Sequence, residues 1–259
     1  MVAVDNASLT LRAVPGLPAI GAGDDLARIL GDALAAAALS PRRDDVLVIT
    51  HKVVAKAEGR AVALAEIRPS PPARELAAAT GKDPALVEVI LSESRAVLRY
   101  RPGLIIAEHK LGIVLANAGV DQSNVPHGQG GPRVLRLPRD PDASAAALRA
   151  ALERRFDTQL AVIISDSAGR AFRNGVVGLA IGAAGMPALL DLRGRPDLEG
   201  RPLQVTQVGL ADQIASAAAL LMGEADEGRP AVLVRGLSAD GPMLPAAALI
   251  RDRQADLFR

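Results

Sequence analysis

The stretch AVIISDSAGRAFRNG at residues 161–175 decides our interpretation of the fold. Its first four residues are apolar and rich in β-branched side chains, and polar residues follow from Ser165 onward. This pattern predicts a buried strand over residues 160–165 that delivers polar groups at its C-terminal end.

The polar part of this stretch suggests a chemistry. Asp166 and Ser167 offer oxygen ligands, which suit a divalent cation such as Mg²⁺ or Mn²⁺. Arg170 and Arg173 offer guanidinium groups, which suit phosphate or carboxylate. The stretch is therefore compatible with a metal-bound phosphate ester, and also with an Asp that caps a turn beside solvated arginines.

Two other apolar segments also end in polar clusters. Residues 46–49 lead to His51, Lys52 and Lys56, which could face an anion or belong to a solvated helix face. Residues 112–115 lead to a second cluster that contains Asp121 and Asn124, which could bind a ligand or form an Asx-rich turn. Glu224 likewise lies where an apolar segment meets a glycine-containing loop. If these loops converge, Asp121, Asp166 and Glu224 supply the acidic half of a metal site.

The order of the elements predicts the fold class. Strands and helices alternate without a strict βαβ rhythm, so we predict an α+β fold with mixed, mostly antiparallel sheets and packed helices. We expect one domain over 1–259, divided into two intimately associated subdomains, residues 1–95 with 205–259 and residues 96–204. The predicted strands cover 9–14, 46–49, 96–107, 112–115, 160–165, 175–186, 205–208 and 231–234. The predicted helices cover 25–38, two short segments of 69–94, 141–156, 211–222 and the tail 244–257.

Composition excludes several classes of protein. The 259 residues are 49% hydrophobic but include only three Phe and one Tyr, so stacking platforms for bases are scarce. Thirty basic and 29 acidic residues give a net charge of +1, without the basic footprint of a nucleic-acid binder. Cysteine is absent, which removes disulfides and thiolate chemistry. We find no signal peptide and no apolar run that would span a membrane, and so expect a cytoplasmic protein.

Common phosphate and zinc motifs are also absent. The Gly/Pro loop at 126–133 contains neither a Walker nor a Rossmann glycine pattern. The histidines His51, His109 and His127 show no HExxH spacing, and no G-x-S-x-G motif accompanies them, which disfavours zinc proteases and hydrolase triads.

Three blocks are specific in combination, NAGVDQSN at 117–124, DSAGRAFR at 166–173 and MGE at 222–224. With further blocks that cover nearly the whole chain, they resemble the coenzyme F420-0:L-glutamate ligase family in its stand-alone form. The resemblance implies an enzyme that appends γ-linked L-glutamate to the coenzyme F420 precursor with GTP as co-substrate, through an acyl phosphate. Magnesium or manganese, as two divalent ions, is the implied cofactor, and a monovalent cation is a further ligand that the resemblance allows.

The resemblance also assigns roles to individual residues. It places the metal ligands on Asp121, Asp166, Ser167 and Glu224. It places the GTP contacts on Gly16, Leu17, Pro18, Ala19, His51, Lys52, Lys56, Asn124, Gly223 and Glu224. As catalytic residues we predict Asp166, Arg170 and Lys56.

Two departures from the family pattern concern the site. Ser167 stands where Thr is usual, which preserves the hydroxyl, and the pair His51-Lys52 replaces Ser-Thr or Ser-Lys. The resemblance also implies a homodimer whose partners are small molecules, the F420 precursor, glutamate and GTP. Alternatives from other classes are a metal-dependent phosphohydrolase that uses the same carboxylates, and a non-catalytic module that binds a nucleotide or a deazaflavin.

Overall fold

The computed structural model describes residues 2–4, 8–125, 131–239 and 241–257. Within these residues the strands are β1 Val2–Val4, β2 Thr10–Ala13, β3 Asp45–Thr50, β4 Ala61–Ala63, β5 Ser94–Arg101, β6 Leu104–His109, β7 Val114–Ala116, β8 Arg133–Leu135, β9 Leu160–Arg170, β10 Arg173–Ala184, β11 Leu189–Asp191, β12 Gln207–Gly209, β13 Ala231–Arg235 and β14 Leu237–Ala239. The α-helices are α1 Leu26–Ala36, α2 His51–Ala57, α3 Pro71–Thr80, α4 Pro84–Glu93, α5 Pro141–Phe156 and α6 Leu210–Met222. Short 3-10 helices cover Leu64–Glu66, Asn117–Gly119 and Ala246–Leu249.

Local sequence signals explain where most helices begin. Asp25, Ser70, Asp83 and Asp140 cap the N-termini of α1, α3, α4 and α5 by accepting a hydrogen bond from a backbone N–H in the first turn. In α3, α4 and α5 a proline follows the cap, where its missing N–H costs nothing. Gly81 then ends α3 in the left-handed conformation and separates it from α4.

A five-stranded sheet lies at the centre of the fold, with strand order β10-β9-β3-β13-β2. Only β3 and β9 pair in parallel there, with Thr50 opposite Ser165, and the other neighbours are antiparallel. The remaining sheets, of two or three strands each, are antiparallel. The predicted α+β class with mostly antiparallel sheets is therefore confirmed.

Helices cover both faces of the central sheet. Alternate residues of β3 point to opposite sides, so that Leu47 and Ile49 join the apolar cluster under α1 and α5. Val46 and Val48 join the cluster under α6. Because β3 and the first half of β9 are buried on both sides, they are continuous apolar runs rather than alternating ones.

A third apolar cluster lies around α3, α4 and the three-stranded sheet β5-β6-β7. The central sheet takes strands from both of the ranges that we assigned to subdomains, and the proposed division into 1–95 with 205–259 and 96–204 stays a prediction. No helix in the described part of the chain is long and apolar enough to cross a membrane.

Three sequence expectations need correction. The single strand predicted over 96–107 is a hairpin, β5 and β6, because Pro102 and Gly103 form a turn within it. The helix predicted over 244–257 is only the 3-10 helix Ala246–Leu249, which begins at Ala246 because the Asp142 carboxylate caps its first N–H groups. The tail then continues mainly in turns.

The third correction concerns the stretch at residues 161–175. We expected the strand to end at residue 165, but β9 continues to Arg170 because β10 pairs with it as far as Arg173. Asp166 and Ser167 therefore lie within a strand, with fixed side-chain directions, and not on a loop. His127 and most of the predicted Gly/Pro loop lie outside the described residues.

Glycine at position 178 lets β10 and α6 approach closely. A Cβ atom at Gly178 would lie 2.5 Å from the carbonyl oxygen of Ala215 in α6, and the hydroxyl of Ser216 donates a hydrogen bond to the Gly178 carbonyl at 2.7 Å. The contact fixes the position of α6 against the sheet, and with it the segment that follows α6.

We expect Gly178→Ala to lower the free energy of unfolding by about 1–3 kcal/mol, because the added methyl group must displace backbone. Gly169→Ala is the matched control, since a Cβ atom at Gly169 of the neighbouring strand would meet nothing within 4 Å. Urea denaturation of both variants measures the difference. Equal stability of the two variants would show that this close approach does not constrain the fold.

Candidate active site

The candidate site is a cleft of about 530 Å³ at one edge of the central sheet. Because β3 and β9 are parallel neighbours, β3 ends at Thr50 beside Ser165, where β9 changes from buried apolar residues to polar ones. Binding groups of sheets commonly collect where such parallel strands end. Thr50 and Lys52 come from the end of β3 and the start of α2, and Asp166 comes from β9. The close packing of α6 on β10 brings Glu224 to the same place.

Most of the residues that the sequence singled out line this cleft. Those present in its wall are Leu17, Pro18, Ala19, Lys52, Lys56, Asp121, Asn124, Asp166, Ser167, Gly223 and Glu224. Gly16 and His51 are not among the lining residues. Arg170 and Arg173 lie at the far end of the β9–β10 hairpin, where Arg170 donates a hydrogen bond to the Asn174 carbonyl at 3.2 Å. The catalytic role of Arg170 stays a prediction.

Several apolar residues of the cleft were not predicted from the sequence. Ile20, Val53, Val176 and Ala219 add apolar wall. Val176 follows a glycine on β10, and only the pairing of that strand with β9 brings it to the site. A period-2 pattern in 175–186 was visible in the sequence, but it does not tell which strand lies alongside.

Lys52 and Asp121 form the best-connected pair in the cleft. The Lys52 ammonium lies 2.7 Å from Asp121 Oδ2 and 2.7 Å from Ser123 Oγ, and Ser123 N–H donates to Asp121 Oδ1 at 2.7 Å. Burial opposes ionisation of the Asp121 carboxyl, but the hydrogen bonds from Lys52 and Ser123 outweigh it, so the pKa of Asp121 lies below its ordinary value. Asp121 is therefore a carboxylate at neutral pH.

Lys56 contributes a second cation to the cleft wall. Within the described ranges, its ammonium has no ion-pair partner. Burial, and secondarily the positive charge of Lys52, lowers the pKa of Lys56 below its ordinary value. An ammonium group without a counter-charge, one helical turn from another, suits a bound anion.

Asp166, Ser167 and Glu224 form a second group in the cleft, which contains two of its carboxylates. Asp166 Oδ1 accepts a hydrogen bond from Ser167 N–H at 2.8 Å and lies 3.1 Å from His51 Nε2. The Ser167 hydroxyl donates to Glu224 Oε1 at 2.8 Å. Glu224 follows Ser167 by 57 positions in the sequence, so their contact depends on the packing of α6 against the sheet.

The oxygen atoms of the four predicted ligands are suited to a divalent cation, although they do not form a compact centre. Among residues 2–4, 8–125, 131–239 and 241–257, no three His, Asp or Glu side chains lie close enough together to form a ready-made metal centre. The four predicted ligands nevertheless line one cleft and offer oxygen atoms only, which is the chemistry that Mg²⁺ and Mn²⁺ prefer. By donor chemistry the residues fit a divalent cation.

Comparison with known proteins decides the family. Residues 16–236 match the model of the family described as F420-0:Gamma-glutamyl ligase. The chain belongs to this family. The match spans most of the chain, as the resemblance in the sequence predicted.

Individual relatives agree with the family model. The chain is 46% identical to Coenzyme F420:L-glutamate ligase of Methanothermobacter thermautotrophicus, over 97% of this chain and 99% of the relative. It is 48% identical to the protein of the same name from Methanopyrus kandleri, over 97% of this chain and 98% of the relative. A third relative of that name, from Archaeoglobus fulgidus, is 46% identical over 88% of each chain. The cleft thus occurs in a chain that matches these ligases along almost their full length.

Proposed function

We propose that this member of the family is a GTP-dependent ligase that joins L-glutamate to the coenzyme F420 precursor by an amide bond. The observation that carries the proposal is the cleft, whose wall contains two lysine ammonium groups together with carboxylates suited to a divalent cation. The family match and the names of the relatives support glutamate ligation. The chemistry of the cleft supports a nucleoside triphosphate as the source of energy, because phosphates need both cations and a metal ion for neutralisation.

The reaction has two bond exchanges. A carboxylate oxygen of the precursor attacks the γ-phosphorus of GTP, and the bond to the β-phosphate oxygen breaks, so that an acyl phosphate and GDP form. The glutamate amine then attacks the acyl carbon, phosphate leaves, and the amine nitrogen loses a proton. Neither exchange needs a protein nucleophile, which agrees with the absence of cysteine.

The residues of the cleft then bind and position the reactants. Lys56, which has no counter-charge within the described part of the chain, would neutralise phosphate oxygens as charge moves from the γ- to the β-phosphate. Lys52 would contribute a second positive charge from the same helix. Asp121, Asp166, Ser167 and Glu224 would hold the divalent ions. When bound, such ions supply Lewis-acid neutralisation of phosphate charge.

Mass spectrometry of the product tests the proposal. The precursor is incubated with GTP, Mn²⁺ and L-glutamate, and the expected result is a product heavier by one or more glutamyl units, with release of GDP and phosphate. Reactions that lack glutamate or GTP are the controls. Release of phosphate without glutamate would indicate a metal-dependent phosphohydrolase instead, and binding without turnover would indicate a non-catalytic module.

The lowered pKa of Lys56 predicts a pH dependence. Lysine loses its charge as pH rises through its pKa. The ligation rate should therefore begin to fall at a lower pH than it would if Lys56 had the ordinary pKa of lysine. We expect Lys56→Arg to extend activity to higher pH, because arginine stays charged. Lys110→Arg, on an exposed turn, is the control and should leave the profile unchanged. If the ligation activity of Lys56→Arg and of the wild type falls at the same alkaline pH, the result would contradict a role for the Lys56 charge.

We also propose a homodimer, as the family resemblance implies. A dimer interface could bury apolar side chains that lie exposed on the single chain, such as those of Val205 and Leu220. Analytical ultracentrifugation should give twice the mass of one chain.

A further inference from the structure

His51 lies behind the wall of the cleft and not in it. It is the first residue of α2, directly after β3, and only 1% of its surface is exposed. The parallel register that sets Thr50 opposite Ser165 makes His51 the neighbour of Asp166. As a result, His51 Nε2 lies 3.1 Å from Asp166 Oδ1. The sequence predicted a nucleotide contact for His51, but its buried position favours a different role.

The two oxygens of Asp166 have different surroundings. Oδ1 accepts the Ser167 N–H at 2.8 Å, and His51 Nε2 lies 3.1 Å from the same oxygen. Oδ2 accepts no hydrogen bond from any residue that the structure describes, and Asp166 lines the cleft. With the Ser167 N–H bonded to Oδ1 and the imidazole beside it, the carboxylate presents its other oxygen, Oδ2, to a ligand in the cleft.

Packing alone does not favour histidine at this position. His51 Nδ1 is buried and has no hydrogen-bond partner within the described residues. A buried polar atom without a partner costs free energy, which an apolar side chain of similar size would avoid. The polar contact that His51 does make is the one to Asp166. The Nε2 atom that faces the carboxylate oxygen must carry a proton for this contact to be favourable.

We propose that His51 is a positioning residue for the divalent cation. It donates Nε2–H to Asp166 Oδ1 and thereby holds Oδ2 ready to coordinate the ion, an arrangement in which an outer partner orients a metal-binding carboxylate. The inference rests on the metal site in the proposed function. It goes beyond that site by assigning the orientation of its central ligand to a buried residue that contacts neither nucleotide nor metal.

Mn²⁺ binding by the purified protein tests the inference without an activity assay. Electron paramagnetic resonance of free Mn²⁺ gives the dissociation constant for wild type, His51→Met and His51→Gln. Methionine fills the space without a donor, and we expect it to weaken Mn²⁺ binding by roughly tenfold to a hundredfold, as loss of outer-shell partners commonly does. Glutamine can place an amide N–H near the position of Nε2–H, and we expect it to bind Mn²⁺ close to the wild-type affinity.

Folding of each variant is checked by circular dichroism and thermal unfolding. If methionine prevents folding, His51→Asn replaces it, because the shorter amide cannot reach Asp166. Wild-type affinity in the folded variant that lacks the donor would overturn the inference, as would equal losses in His51→Gln and His51→Met. A wild-type protein that binds no Mn²⁺ would overturn both the metal site and this inference. Mn²⁺ binding that is lost as expected in His51→Met, in a protein that adds no glutamate, would refute the proposed reaction but support the inference.

Discussion

Replacement of Asp166 by asparagine should reduce glutamate ligation by at least about a hundredfold, since even the loss of an outer-shell partner of a metal costs tenfold to a hundredfold. The hydrogen bonds predict why the substitution is severe. Ser167 N–H donates to Oδ1, and in our proposal His51 Nε2–H faces the same oxygen, so we expect the amide oxygen to stay there. The amide NH₂ then takes the place of Oδ2, where it presents hydrogens to the cation instead of a lone pair.

The ligation rate is measured by mass spectrometry of the glutamylated product at saturating GTP and Mn²⁺. Asp44→Asn is the matched control, because Asp44 is exposed and precedes β3 in a left-handed conformation that asparagine also tolerates. A rate for Asp166→Asn within a few-fold of that of Asp44→Asn would show that Asp166 does not bind the metal.

The second large effect concerns a buried ion cluster that supports α2. Glu93 at the end of α4 lies 2.7 Å from the Arg60 guanidinium, 3.5 Å from that of Arg136 and 3.5 Å from His109 Nε2. Arg60 Nε also donates to the Leu137 carbonyl at 2.8 Å. Because Arg60 follows α2 by three residues, the cluster ties the helix that carries Lys52 and Lys56 to the third apolar cluster.

We expect Glu93→Gln to lower the free energy of unfolding by about 3–5 kcal/mol, because it leaves the buried Arg60 guanidinium, and the partly buried one of Arg136, without the Glu93 charge. Glu75→Gln on the exposed face of α3 is the control and should change stability little. Guanidinium chloride is unsuitable because it screens charges, so urea denaturation is used. A loss for Glu93→Gln no larger than that for Glu75→Gln would contradict the importance of the cluster.

The same cluster predicts how stability depends on pH. Burial opposes ionisation of Glu93, but the contacts with His109, Arg60 and Arg136 outweigh it, so the pKa of Glu93 lies below its ordinary value of 4.5. A carboxylate with a lowered pKa in the folded state stabilises the protein above the unfolded-state pKa, and this contribution is lost as pH falls through the folded-state pKa. The stability difference between wild type and Glu93→Gln should therefore be full above pH 4.5 and shrink below it.

Most helices and central strands could be predicted because local signals set them. The caps Asp25 and Asp140, the Ser70-Pro71 pair and Gly81 are visible in the sequence and define α1, α5 and α3 in the structure. The tail could not be predicted in this way. Its apolar run resembles a helix, but the Asp142 carboxylate, more than 100 residues away, holds the N–H groups of Ala246 and Ala247. This cap fixes where the short helix begins, and a contact between residues so far apart is not visible in the local sequence.

In the candidate site, too, local sequence predicts some features and distant contacts determine the others. Residue types predicted that Asp121, Asp166, Glu224 and the lysines belong to a site, and the structure brings them to one cleft. The contact between His51 and Asp166 could not be predicted, because it depends on the register of two parallel strands that lie 115 residues apart. An apolar run fixes that a strand is buried, but it does not fix its neighbour or its register.

Anomalous diffraction from crystals grown with Mn²⁺ and a non-hydrolysable GTP analogue tests the central claim most directly. We predict Mn²⁺ peaks within bonding distance of Asp166 Oδ2 and of carboxylate oxygens from Asp121 or Glu224, with the triphosphate facing Lys52 and Lys56. Mn²⁺ or nucleotide bound only outside this cleft would contradict the account.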